Sequence, residues 1–339
     1  MAGFRSASPV RVRANESSSL RALHFTAMNT ERAQPLPVKS SRVLLAHDMN
    51  LGDACARVFQ SCLQQVLDNR IGVIGGTNPE CVHQMRVGIR RFRVAMRLFA
   101  PWIRFPPALG RDLRWLGSEL GKARDMDVVA AVTLPALLRE CPLEAGLIPL
   151  RNRAVDVAEK RRRGAAKVVA SARCSVLLGA LQRWVQTVAV RRPLAVSLER
   201  PAADILRRVH SRLLSRARHL VTGTSEERHA VRIAAKRARY AAEFFRSLYS
   251  ERELERYLAV LAELQDLLGA LNDFAVADPI LNEISRRHGR MMTAAGFARG
   301  YLFASAKGRV RKPRRLQHKI ERLQAPGNPR TSRRRQRSG

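Results

Sequence analysis

The chain has 339 residues, 46% of them hydrophobic, enough to bury the core of one large domain or two ordinary ones. Its 62 Lys+Arg against 28 Asp+Glu leave a formal charge of +34, an excess that points to a polyanionic partner: nucleic acid, an anionic membrane surface or a phosphate polymer. Five cysteines without metal-ligand spacing argue against a disulfide framework or a zinc site, and no apolar run approaches the roughly 20 residues of a membrane span. With no signal-peptide apolar region at the start, the expectation is a soluble cytoplasmic protein with free thiols and no membrane contact.

Residues 1–42 are rich in Ser, Arg and Pro without periodicity and read as a disordered segment, with Met28 and Met49 both available as later starts. A helix is predicted from about Val43 to Asp68, where Ala54, Val58, Cys62 and Val66 recur at helical spacing. Cys55 and Cys62, one heptad apart, read as small apolar side chains rather than metal ligands. Gly72 to Pro79 reads as a glycine-rich loop, without the lysine of a phosphate-binding loop. Asn78-Pro79-Glu80 then supplies a cap and a first-turn proline for the next helix.

That helix is the most unusual stretch of the chain. At about 100° per residue, His83, Arg86, Arg90, Arg93 and Arg97 fall within one arc of roughly 80°. Met85, Ile89, Phe92, Met96 and Phe99 fill a separate arc, suited to a core. The polar face is therefore a cationic stripe headed by a histidine, with no acid in it. Helices follow at about 109–121 and 125–140, with Asp125 and Asp127 at the break between them. The two acids read as caps of the next helix or as anchors for a stripe arginine, ahead of a catalytic or metal-binding pair.

A long arginine-rich helical stretch spans about 151–190, with a break near Cys174. Its Lys160-Arg161-Arg162-Arg163 run reads as a solvated face, or as an extension of the anion-binding surface. Residues 191–201 read as a linker, followed by helices at about 202–220, 226–249 and 251–271, and one or two more ending near Ala306. The basic tail, 307–339, carries thirteen Lys and Arg against one acid, Glu321, and reads as largely disordered. Such an arm binds any polyanion, nucleic acid included. No alternating β pattern of useful length occurs, so the fold class is all-α.

The basic helix then recurs. His229, Arg232, Lys236, Arg237, Arg239 and Phe245 repeat the spacing of His83, Arg86, Arg90, Arg91, Arg93 and Phe99. Downstream, Leu120-Gly121-Lys122-Ala123-Arg124-Asp125 matches Leu268-Gly269-Ala270-Leu271-Asn272-Asp273. Two motifs in the same order, twice, describe an internal duplication. Its halves would span about 43–192 and 197–306, together one domain of residues 43–306. Thr224-Ser225-Glu226-Glu227 supplies an N-terminal cap for the second basic helix. Glu243 stands where the first copy has Arg97, so the second stripe is one cation shorter and its acid was expected to hold an arginine of the facing helix.

These paired His-x-x-Arg helices, each followed by Leu-Gly-x-x-[Arg/Asn]-Asp, resemble the CHAD family, the conserved histidine α-helical domain, over roughly residues 44 to 305. The resemblance implies two pseudo-symmetric helical bundles around a basic central cavity. It also implies binding of inorganic polyphosphate, often at bacterial polyphosphate granules. On the residues alone, arginine forks suit phosphate oxygens, and cations about 5 Å apart along a helix suit an extended polyanion. The expected clamp comprises His83, Arg86, Arg90, Arg91, Arg93 and Arg97 from one helix. From the other it takes His229, Arg232, Lys236, Arg237 and Arg239. The histidines are either anchors at the helix entrance or phosphate contacts strengthened by protonation. The alternative function is nonspecific nucleic-acid binding. No cofactor, metal or catalytic residue is expected, and the protein is expected not to be an enzyme.

Overall fold

Every regular element among the described residues is helical, which puts the chain in the all-α class. The computed structural model describes residues 35–327, apart from 77, 143, 145, 189–195, 287–288 and 310–312. The sequence expectations for residues 1–34 and 328–339 lie outside the described residues. The elements in chain order begin with α1 (Leu51–Asp68), α2 (Arg70–Gly75), α3 (Pro79–Leu98) and α4 (Pro107–Val128). A π-helical turn (Val129–Thr133) leads into α5 (Leu134–Glu140), α6 (Leu147–Ala170) and α7 (Ala172–Val188). Then come α8 (Glu199–Ala217), α9 (Ser225–Phe244), a 3₁₀ turn (Arg246–Leu248), α10 (Glu251–Ser285), α11 (Gly289–Arg309) and α12 (Pro313–Glu321).

The two basic helices, α3 and α9, start where their capping side chains dictate. Asn78 Oδ1 accepts the Glu80 amide at 2.9 Å, ahead of Pro79 in the first turn. Thr224 and Glu227 form a reciprocal box: Thr224 Oγ1 accepts the Glu227 amide, and Glu227 Oε2 accepts the Thr224 amide at 2.7 Å. Their apolar faces are fully buried, with Met85, Ile89 and Phe92 on α3 and Val231, Ala235 and Ala238 on α9. Each such burial of a large side chain stabilises by about 1.5–3 kcal/mol. Cys55, Cys62, Cys81 and Cys174 are buried in the core, packing as small apolar groups.

The apolar cores do not divide at the boundary between the repeats. The larger takes side chains from α1, α3 and α7 of the first half and from α8, α9 and α10 of the second. The smaller joins the end of α4, α5 and the start of α6 to the distal part of α10 and to α11. Both halves contribute to both cores, and each core covers one end of a common helical body.

Four segment expectations are corrected. Residues 36–42, read with the disordered N-terminal segment, form neither helix nor strand but are tied at Val38 to Asn69. Its side chain accepts the Val38 amide at 3.0 Å and donates to the Val38 carbonyl at 2.8 Å. A segment without regular structure has no 3.6-residue pattern to detect. The break expected at Asp125 does not exist: α4 runs through it to Val128, so neither Asp125 nor Asp127 is a cap. Likewise α10 continues to Ser285, carrying Pro279 inside it. In the tail, Pro313–Glu321 is a helix whose Leu316 and Ile320 are buried, so two apolar residues among many cations anchor what composition alone marked as disordered. No single described helix is long and apolar enough to cross a membrane.

Gly88 fixes the approach of α3 to α1. A Cβ there would meet Val66 Cγ2 at 2.8 Å, the Cys62 carbonyl oxygen at 3.1 Å and the Val66 amide nitrogen at 3.1 Å. Backbone atoms of a packed helix cannot step aside cheaply. Overpacking of about 1–3 kcal/mol therefore outweighs the gain of up to ~1 kcal/mol in helix propensity. Gly88→Ala is expected to lower stability by about 1–2 kcal/mol in chemical denaturation.

Candidate functional site

Helices α3 and α9 face each other across a cavity of about 830 Å³, lined also by α4, the π turn and α10. Its lining carries eight Lys and Arg against four Asp and Glu, a surplus of four positive charges before either histidine is counted. From α3 come His83, Arg86 and Arg90, on successive turns. From α9 come His229, Arg232, Lys236 and Arg239.

The acids hold cations in place rather than cancel them. Asp125 Oδ1 lies 3.6 Å from Arg86 Nη2, as one sequence reading of Asp125 expected. Asp273, its counterpart in the second motif, favours the charged forms of Arg232 and Lys236. Gly121 lies beside the pair: a Cβ there would stand 3.4 Å from Arg86 Nε, an ordinary contact. Gly269 has no such neighbour, with nothing within 4 Å of a Cβ built on it. Asp127 serves another cation, pairing at 2.6 Å with Arg162, and burial pushes its carboxyl up. Among the described residues no three His, Cys, Asp or Glu side chains gather in a way that could hold a metal ion.

The charge surplus is felt by the groups that can titrate. Burial first, then Arg90, Arg232 and Arg86, push the Lys236 amine down to about 7, with Asp273 opposing. Burial and Arg124, Arg90 and Arg86 also lower His83, against Glu80, which raises it. His83 Nδ1 is buried without a hydrogen-bond partner. The histidine therefore stands neutral at the cavity wall with an unanswered ring nitrogen.

Not every expected clamp residue reaches this cavity. Arg91 touches its edge but is a buried structural cation, 5% exposed. Its Nη1 donates to Gln65 Oε1 at 3.0 Å and its guanidinium stands over the Phe244 ring at 5.3 Å. The relay continues from Gln65 to Gln84 at 3.0 Å and from Gln84 to Glu80 at 2.6 Å. Arg93 lies against α4 near Gly117 and Arg114, outside the cavity. Arg97 and Arg237 line a different groove, beyond α9. Glu243 does not hold an arginine across the cavity; it pairs with Arg239 of its own helix at 2.7 Å.

The sequence reading missed contributors on other elements. Arg124 lines the cavity, and its signal was available, since it occupies the Arg/Asn position of the repeated motif. Tyr240, in sequence the one aromatic close to a stripe, lines the cavity beside Arg239 on α9. Lys39 and Ser40 come from the irregular segment before α1, where no periodicity could announce them.

A family model, the CHAD domain, matches residues 57–282. The chain belongs to the CHAD family. Among solved structures it is similar to the crystal structure of the CHAD domain from the plant Ricinus communis. The two are 36% identical over 86% of this chain and 99% of that one, with a TM-score of 0.80. PptA from Streptomyces chartreusis shares the fold at 18% identity and a TM-score of 0.59, covering 80% of this chain and 99% of its own. Comparison with curated proteins finds no match. In this CHAD domain, then, the family's repeated His-x-x-Arg helices are the two walls of the cavity.

Lys236 gives the cavity a measurable signature. An unfolded lysine titrates near 10.5 and the folded one at about 7, so between those values the unfolded chain binds more protons and stability rises with pH. Lys236→Met removes the buried charge. Its melting temperature should exceed that of the parent most below pH 7, with the gain shrinking towards pH 10, as read by scanning calorimetry in a buffer without phosphate. A gain independent of pH would mean that the amine does not titrate in this window.

Proposed function

We propose that this CHAD domain binds inorganic polyphosphate in the cavity between α3 and α9 and performs no chemistry on it. The observation that carries the reading is the convergence of two cationic helix faces on one space with a surplus of four positive charges. Membership of the CHAD family supports it. Arg90 makes no ion pair among the described residues, and Arg86 and Arg232 are held from behind by acids. Such guanidiniums are pre-positioned, so phosphate oxygens gain forked, charge-assisted hydrogen bonds with little ordering of the side chains. Tyr240 is the one Phe, Tyr or Trp among the described residues lining the cavity. A single ring offers few stacking platforms for bases, which favours a phosphate chain over single-stranded nucleic acid. The cellular counterpart of this reading is a cytoplasmic protein recruited to polyphosphate granules.

Anion binding would also return protons to the cavity. A phosphate beside Lys236 and His83 favours their charged forms, raising both from their depressed values in the free protein. Above about pH 7, binding then takes up a proton at Lys236, and affinity falls as pH rises, approaching about tenfold per pH unit. Calorimetric titration in two buffers of different ionisation enthalpy reads that uptake directly, and Lys236→Arg should abolish most of it. For the ligand itself, long-chain polyphosphate is set against duplex DNA and heparin at roughly 150 mM salt, near physiological screening. The parent chain should prefer polyphosphate, and a variant with Arg86, Arg90, Arg232 and Lys236 changed to Ala should lose that preference. Equal binding of all three polymers by both proteins would replace a site with diffuse charge.

A further inference from the structure

A second concave surface of about 890 Å³ lies on the far side of α9 from the cavity, between α8 and the end of α3. Leu98, Ile205, Val209 and Ala234 give it an apolar floor. Six arginines surround that floor: Arg97 from α3, Arg207, Arg208, Arg212 and Arg216 from α8, and Arg237 from α9. No Asp or Glu is among its described lining residues. Arg207 pairs with Asp204 at 3.2 Å, and Arg208 rests over the Trp102 ring at 5.4 Å. Arg97, Arg212, Arg216 and Arg237 have no carboxylate within 4.0 Å among the described residues.

Five of the six arginines are exposed, and the half-buried Arg237 sits among cations of the other helices. Burial lowers Arg237, and after burial the neighbours responsible are Arg97 and Arg212, on two other helices. Arg237 Nε is itself buried without a hydrogen-bond partner. On α8, Arg208, Arg212 and Arg216 repeat every four residues, the spacing at which like charges destabilise a helix. A stripe that costs the helix stability, facing arginines of two other helices, is built for an anion from outside.

The groove is linked to the cavity through both basic helices. Lys236 and its neighbour Arg237, about 100° apart around α9, reach one into each basin. Along α3 the cations step from Arg90 in the cavity, past Arg93, to Arg97 in the groove, about 10 Å along the axis. We propose that this groove is a second phosphoanion site, which holds a further stretch of the phosphate polymer whose first stretch lies in the cavity. The proposal rests on the reading of the cavity given above. It makes chain length a determinant of affinity, because a short oligomer occupies one basin and a long chain both.

The test uses the full chain and the exposed pair Arg212→Ala/Arg216→Ala, with the exposed pair Lys160→Ala/Lys167→Ala on α6 as a control that removes equal charge. Affinity is measured for tripolyphosphate and for long-chain polyphosphate across a salt series. The groove variant should bind the long chain about tenfold more weakly, with a log–log salt slope shallower by about 1.5. Its tightest tripolyphosphate affinity should match the parent, and the control should stay within about twofold for both ligands. Equal losses in groove variant and control, or no loss in either, would overturn the second site and leave the cavity reading standing. Should the variant lacking Arg86, Arg90, Arg232 and Lys236 keep full affinity for tripolyphosphate, the cavity reading itself fails.

Discussion

The structure depends on forcing like charges together across α3 and α9, and on apolar burial strong enough to hold them there. The cations on the two cavity walls repel one another, and that repulsion, after burial, depresses Lys236 and His83. What outweighs it sits on the opposite faces. Met85, Ile89, Phe92, Val231, Ala235 and Ala238 are each 0–1% exposed. Several large buried side chains at about 1.5–3 kcal/mol apiece exceed the mutual repulsion of partly solvated guanidiniums. The helices therefore cannot turn away from each other without exposing the core. The basic cavity is the polar consequence of that packing.

The few acids are used economically. Asp125 behind Arg86 and Asp273 near Arg232 occupy equivalent places in the two copies of the sequence motif, and each favours an arginine of the cavity wall. Outside it the copies have diverged. Gly121 lies in contact range of Arg86, whereas Gly269 abuts nothing. Arg97 and its counterpart Glu243 differ in charge, and Glu243 restrains Arg239 within its own helix. Such restraint narrows the rotamers of a cation without removing it from the wall, which reduces the entropy lost when an anion arrives.

Much of the cavity was legible in the sequence because helical periodicity is a property of residues on one element. His83, Arg86 and Arg90 on one helix, and His229, Arg232, Lys236 and Arg239 on the other, are where their spacing places them. Two of the misplaced residues were separable by the same arithmetic. Arg91 and Arg237 lie about 80° from their histidines, on the other side from the rest of the stripe. One goes into the core with Gln65 and the other into the second groove. Arg93 and Arg97 are within the stripe, and nothing local distinguishes them from Arg86. Only the length over which the second helix faces the first decides their fate. Lys39, Ser40 and Arg124 arrive from other elements, and that kind of information is tertiary.

The same geometry explains why a continuous stripe of charge becomes two basins. A 20-residue helix is about 30 Å long, and His83 to Arg90 occupies only about 10 Å of α3. Helices that cross share one region of close approach, so the cations before the crossing face the partner and those beyond it face whatever flanks the partner. On α3 that flank is α8, with its own arginine stripe. On α9 the same partition falls between adjacent residues, with Lys236 on one side and Arg237 on the other. Helix α9 is thus a wall whose two faces are both cationic. The positive excess of the chain is in this way sorted by the fold into two places where an anion gains more than it would from the same charges spread over an open surface.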